Sequence, residues 1–522
     1  MTKLKKIKKP FFVLFQYYIC TIGASFLTVT PPLFSKTSHL LNRAELADLD
    51  IDLIDYIFAS ENENEFKERL IAAKRIQDCL FLEHKSLYLQ DLGLTCLPEK
   101  LADLRSLDHL FLQNNRLKSI PPILMKMPFL KAIYLENNSI DRIPDEIGNF
   151  VYLHTLKLKN NEITSIPDSI QEMASLRYLD LSFNQIGSIP ISLCRLPNLM
   201  ALNLDNNRIH SLPRELRKLK LLKELSLSYN PVVLNEDPLI FPRRLCNLSL
   251  KGIGLQQIPE SITNLKYLAT LDLSENQIEN IETSFYECRN LTHLDLSSNL
   301  IHKFPSGLSK LKKMLKIKLG ENLLEEFPVG ILGFRKLEFL DLGMNQILEL
   351  PERIHVLQRL KYLNMSSNRL FDLPATFSFL SCLENLNMDG NLFKKIPFTV
   401  GKLRSLHKIS MNCNKIQTFP TYFEELLNLR ELHLSGNLIE LIPDEIQKIG
   451  LLHILDLEKN NIHTVSSKIT LLKHLRHLNL AKNQLHALPD LPSNLVENHG
   501  LYLTGNPFMD LKEDRELSIG FD

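Results

Sequence analysis

Asparagine returns every 23 residues. It stands at 115, 138, 161, 184, 207 and 230, and again in the same phase at 276, 299, 322, 345, 368, 391, 414, 437, 460, 483 and 506. The phase also falls on Leu92 and Ile253, so the array has 19 units, 17 of them with asparagine, and no slip over 414 residues. Three or four unrelated domains, which a length of 522 residues would otherwise suggest, are incompatible with that regularity. A unit this short cannot bury its own apolar side chains, so successive units must stack and the two ends need covers.

The physics of one unit is readable in LDHLFLQNN. Leu110 and Leu112 alternate with His109, Phe111 and Gln113, which predicts a short strand with the leucines inward. The asparagine then meets a buried turn whose backbone groups lack ladder partners, and its amide can donate and accept there. A proline follows six residues later in most units, as at 98, 121 and 144, and opens a segment such as PDEIGNF. The motif LxxLxLxxNxLxxLPxxIxxL over residues 85–510 resembles the leucine-rich repeat. The resemblance implies an α/β leucine-rich repeat solenoid, or horseshoe, with parallel strands on the concave face and short helical or irregular segments on the convex face.

Residues 62–84 carry Phe66, Leu70, Ala73 and Ile76 at helical spacing and read as the N-terminal cap. The first ten residues hold five lysines, and nineteen uncharged residues, 11–29, follow. That is the pattern of a signal peptide or a single membrane anchor, with an apolar tail lying on the folded domain as the alternative. The expected organisation is a basic and apolar segment at 1–34, a linker and cap helix at 35–84, a first sub-array at 85–252, a second at 253–510, and a closing tail at 511–522. Localisation is then membrane-associated or exported, or cytoplasmic if the segment stays soluble.

Composition narrows function. Basic and acidic residues number 61 and 60, so total charge does not call for nucleic acid. The eight cysteines include no CxxC and the 16 histidines no HExxH, which argues against a zinc site or a disulfide framework. No phosphate-binding glycine loop or kinase signature occurs, and no cofactor is expected. Ser274, His293 and Asp295 fall on adjacent strands but have no oxyanion-hole turn beside them, so they are not read as catalytic.

The outward row four residues before each asparagine opens with Tyr88, Phe111 and Tyr134, and His109 lies beside it. Aromatic side chains on a rigid platform are the residues most enriched at binding hot spots. With Lys157, Lys159, Tyr178 and Asp180 they form the predicted partner site, the alternative being that the cap helix folds over them. Asp272, Asp295 and Asp341, interrupted by Lys316 and Lys318, form a second, acidic candidate, or simply a solvated face. At about 4.8 Å per strand, 19 strands offer a platform about 85 Å along its arc.

The 23-residue unit is similar to intracellular scaffolds that bind Ras-type small GTPases and phosphatases. It is also similar to bacterial repeat proteins, including effectors: RIQDCLFLEHKSLYLQDLGLTCLPEKL resembles their cap-helix entry, and LPDLPSNL at 488–495 resembles an effector turn, although effectors use shorter units throughout. The expectation is a non-enzymatic scaffold with a protein partner on the concave face. The alternatives are an exported or membrane-tethered recognition protein, or the recognition subunit of an enzyme in trans.

One irregularity remains. LSLKGIGLQQIP, with Ile253 in the asparagine position, resembles LYLQDLGLTCLP at the array's start more than it resembles its neighbours. Two joined sub-arrays with a seam at 231–253 would explain it, as would an apolar side chain in an ordinary stack.

Overall fold

The computed structural model describes residues 49–234, 239–492, 495 and 499–510. The expected leader or anchor at 1–34 and the tail at 511–522 lie outside the described residues. Among the described residues no helix is long and apolar enough to cross a membrane. The chain divides into two compact units, one reaching Ile163 and including 172–176, the other comprising 164–171 and the residues from Arg177 onward.

The first unit begins with two helices, α1 (Ile51–Phe58) and α2 (Glu63–Leu82). α1 was not expected from the sequence. α2 starts where the Asn62 side chain accepts the Glu65 N–H at 3.0 Å. Phe66, Ala73 and Ile76 are buried as expected, Leu70 is half-buried, and Ala72 and Cys79 complete the face. Inside the cap Arg69 donates to Glu65 Oε1 at 2.7 Å and to the Tyr56 carbonyl at 2.9 Å. Burial works to raise the Glu65 carboxyl, but the Glu61 N–H and Arg69 outweigh it and hold the group below the usual carboxylate range.

Four parallel strands follow, β1 (Ser86–Tyr88), β2 (His109–Phe111), β3 (Ala132–Tyr134) and β4 (Thr155–Lys157). Each residue faces its counterpart 23 positions on, so Leu87, Leu110, Ile133 and Leu156 form one buried row. Among the described residues no strand precedes β1 at its outer edge. There Arg75 Nη1 donates to the Tyr88 carbonyl at 2.8 Å, meeting an acceptor that another repeat would otherwise use.

The second unit repeats the same plan from Tyr178–Asp180 to Leu501–Tyr502, in unchanged register. Most units continue into a 3-10 turn. The proline stands just before that turn rather than in it: Pro213, with φ −71° and ψ 142°, is extended, and its carbonyl accepts the Leu216 N–H at 3.0 Å. Having no N–H costs nothing there.

The asparagine acts as expected. Asn115 Nδ2 donates to the carbonyls of Leu89 and Leu112, both at 2.9 Å, while its Oδ1 accepts the Leu94 N–H at 2.8 Å. Each such side chain ties its own turn to the preceding one.

At Ile253 the strand ladder runs on, Leu225 facing Leu248 and Leu248 facing Leu271, but the amide ladder stops. Ile253 is buried, and its own N–H donates to Asn276 Oδ1 at 3.1 Å beside that of Leu255 at 3.0 Å. An ordinary unit has one left-handed residue, just before the asparagine, as Asn114 at φ 57°. Here Gly252 and Gly254 are both left-handed, at 63° and 82°, and around Leu92 so are Asp91 and Gly93, at 61° and 59°. The two anomalous turns therefore share one backbone solution, an extra left-handed glycine replacing the asparagine amide.

Candidate partner-binding face

In-register strands place equivalent side chains about 4.8 Å apart, so identical residue types must stack. In the first unit this puts the Tyr88 and Phe111 rings 4.6 Å apart at 12°, and the Phe111 and Tyr134 rings 4.5 Å apart at 3°. Lys157 Nζ lies 5.6 Å from the Tyr134 centroid and closes the column as a cation over a ring face. The strand register sets this spacing, and near-parallel rings at such a centroid distance are offset rather than face to face, an arrangement that aromatic pairs favour. Solvent meets ring edges, with tyrosine hydroxyls on either side of the central phenylalanine. Burial, with Glu136 beside it, pushes the Tyr134 hydroxyl pKa up, so it stays a donor.

The cap does not cover the column. Tyr88 is 51% exposed although Arg75 of α2 reaches its carbonyl. Phe111 and Tyr134 are half-buried, largely by each other. His109 starts β2 on the same face, Lys157 ends β4, and Lys159 follows it, exposed. Tyr178, 48% exposed, and Asp180 belong to the second unit, where Asp180 Oδ1 accepts the Ser182 hydroxyl at 2.7 Å.

The acidic candidate is internally satisfied. Asp272 Oδ1 accepts the Ser274 hydroxyl at 2.7 Å, Asp295 Oδ2 accepts Lys318 Nζ at 2.7 Å, and Asp341 Oδ1 accepts the Gly343 N–H at 3.0 Å and Asn364 Nδ2 at 2.8 Å. Burial raises the Asp341 carboxyl, and the Asp295 hydrogen bond raises Lys318. The Ser274 hydroxyl is thus engaged by Asp272 rather than by His293, whose Nδ1 lies 2.9 Å from Thr292 Oγ1.

One site escaped the sequence reading. Phe339 and Tyr362 stack at 4.2 Å and 1°, with Lys316 Nζ 4.4 Å from the Phe339 centroid. Tyr362 borders a depression of about 440 Å³ that Asp389, Lys408, Ser410 and His433 also line. The signal was available as aromatics six residues before successive asparagines, two positions ahead of the row that opens with Tyr88.

Comparison with known proteins agrees with the geometry. The sequence matches the family described as leucine-rich repeat region at 145–236 and 329–433. Related repeat families match at 105–149, 243–301, 289–347 and 428–449. No curated protein matches significantly. Among solved structures, a leucine-rich repeat protein of Leptospira interrogans is similar at 28% identity and a TM-score of 0.63, covering 76% of this chain and 97% of its own. The plant peptide hormone receptor RGFR1 in complex with RGF2 is similar at 25% identity and 0.57, covering 81% and 78%. The ectodomain of the Arabidopsis receptor kinase HAESA, with an extended IDA peptide hormone, is similar at 26% and 0.55, covering 80% and 78%.

Proposed function

The chain belongs to the leucine-rich repeat family, and on that premise we propose that it is a non-enzymatic scaffold that binds a protein or peptide partner on its strand face. The observation that carries the proposal is the aromatic column Tyr88–Phe111–Tyr134, which keeps an exposed ring edge beside the cap. Its partner meets an apolar stripe flanked by hydroxyl donors, with His109, Lys157 and Lys159 around it. Tyr178 and Asp180, in the second unit, are proposed as further contact residues, and Asp272, Asp295 and Asp341 as a secondary patch. The similar plant proteins are a peptide hormone receptor in complex with RGF2 and a receptor kinase ectodomain in complex with a peptide hormone, which supports a peptide-like contact. The resemblance to intracellular scaffolds makes a small GTPase or a phosphatase the first partner to test.

Capture of partners from the source cell on wild-type chain and on a Tyr88→Ala, Phe111→Ala, Tyr134→Ala chain tests this. A partner held by the first and lost by the second supports the column as its site. A partner retained by both removes the assignment.

A second reading places the array at or across a membrane through residues 1–34, and rests on five lysines followed by nineteen uncharged residues. Fractionation with N-terminal sequencing tests it, and a soluble chain retaining Met1 removes it.

A further inference from the structure

Side chains that recur every 23 residues stand next to each other, so a charge repeated at that interval becomes a continuous row. In the second unit the turn leading into each strand carries Arg243, Lys266, Arg289, Lys312 and Arg335, each 23 residues from the last and all exposed. At the next position Lys313, Lys336 and Arg359 follow the same rule and are exposed too. Contacts along this turn confirm the adjacency: Asn290 Nδ2 donates to the Lys266 carbonyl at 2.6 Å, and Lys313 Nζ to Asn290 Oδ1 at 2.5 Å. Among the described residues only Arg289 of these cations pairs with a carboxylate, Glu287 at 3.2 Å.

The strip has ends. In the following repeats the two positions become Ser381 and Cys382, Arg404 and Ser405, Leu427 and Asn428, and Arg404 is neutralised by Glu425 at 3.0 Å. No acidic residue occupies either position from 243 to 359, in a chain whose net charge is only +1. Like charges side by side repel one another, and an anion laid along them relieves that repulsion.

We infer that this strip binds an extended acidic segment of a partner protein. Five repeats span about 19 Å, and an extended peptide with a carboxylate on every second residue crosses that in about six residues. Two other polyanions fit less well. A helix or surface that lies on an anionic membrane adds apolar side chains to its cations, and a groove for single-stranded nucleic acid interleaves aromatic platforms. At these two positions Tyr267 is the only aromatic side chain between 243 and 359. The strip shares no residue with the aromatic column, so either assignment can fail without the other.

The test is fluorescence anisotropy of the whole chain with a labelled peptide of about twelve alternating Glu and Ser residues, at about 50 and 200 mM salt. One variant carries Lys266→Glu, Lys312→Glu, Arg335→Glu and Lys336→Glu. A control of equal net charge carries Lys394→Glu, Lys395→Glu, Lys415→Glu and Lys468→Glu. The expected result is peptide binding that weakens with salt, falls at least about tenfold in the strip variant and stays within about threefold in the control. If the reversal variant misfolds by circular dichroism, the same four positions changed to glutamine should still weaken binding. No binding at low salt, equal loss in both variants, or tighter binding of phosphatidylserine vesicles or of an oligothymidylate than of the peptide would overturn the assignment.

Discussion

The Tyr229 hydroxyl donates to Glu275 Oε2 at 2.9 Å, two repeats further along the array. Its ring passes over Gly252, where a Cβ would stand 2.7 Å from Tyr229 Cδ1. Lys251 joins the bridge, 2.8 Å from Glu275 Oε1 and 5.6 Å from the Tyr229 centroid. This strap spans the one internal repeat in which the asparagine ladder is interrupted, so the Ile253 turn loses amide bonds inside and gains a clasp outside.

Gly252 and Gly254 separate crowding from backbone strain. Gly254→Ala meets open space but sits at φ +82°, so it should cost about 1 kcal/mol. Gly252→Ala must also displace the Tyr229 ring and should cost about 2–3 kcal/mol, part of which a Tyr229→Ala background recovers. Local hydrogen exchange around 229–275 measures both. Equal costs would contradict the strap.

The strap should also be pH-dependent. Hydrogen bonds from Lys251 and Tyr229 hold the Glu275 carboxyl below the usual range. Its folded pKa lies below its unfolded one, so its stabilisation is complete above the usual carboxylate range and is lost as pH falls through the folded value. Glu275→Gln should therefore lower the melting temperature at neutral pH, and by progressively less as pH falls below the usual carboxylate range. An effect independent of pH would show that the charge does not matter.

Asn276 carries more than its neighbours in the ladder. Its Oδ1 accepts two N–H groups, and its Nδ2 reaches the carbonyls of Leu250 and Leu273 at 3.0 and 2.9 Å. Asn299 makes the same donations but accepts only the Ile278 N–H. Asn276→Ala should cost about 1 kcal/mol more than Asn299→Ala, the worth of one further buried hydrogen bond. Urea unfolding of the two variants checks the difference, and its absence would mean that Ile253 finds another acceptor.

Arg69 holds the cap together. Arg69→Ala would leave the buried Glu65 carboxylate without its cation, a loss of about 3–5 kcal/mol. Limited proteolysis should then cut within α2 while the strands stay protected. Unchanged resistance would mean that apolar contacts alone seat the cap.

The architecture was legible because a 23-residue period allows one phase, and the phase decides which side of every strand is buried. Leu110 inward and Phe111 outward follow from alternation alone. The first column was legible for the same reason, since Tyr88, Phe111 and Tyr134 share one position. The Phe339–Tyr362 pair obeys the same rule two positions earlier in the repeat. The Tyr229 strap was out of reach, because a side chain spanning two repeats depends on rotamer and on a missing Cβ at Gly252. α1 has no repeat to announce it, and its buried Leu53, Tyr56 and Ile57 span too short a stretch to fix a period. The Ile253 turn was visible as an anomaly, but its resolution by a second left-handed glycine needed backbone angles.

The most direct measurement of the central claim is the affinity of a captured partner for wild-type chain and for Phe111→Ala. Phe111 is only half-buried and sits between two rings, so its removal should leave the fold intact by melting temperature. Binding should weaken by about 30-fold or more, the loss expected of a central aromatic anchor. Unchanged affinity for Phe111→Ala, with a loss instead on Phe339→Ala, would move the partner to the second column and contradict the assignment.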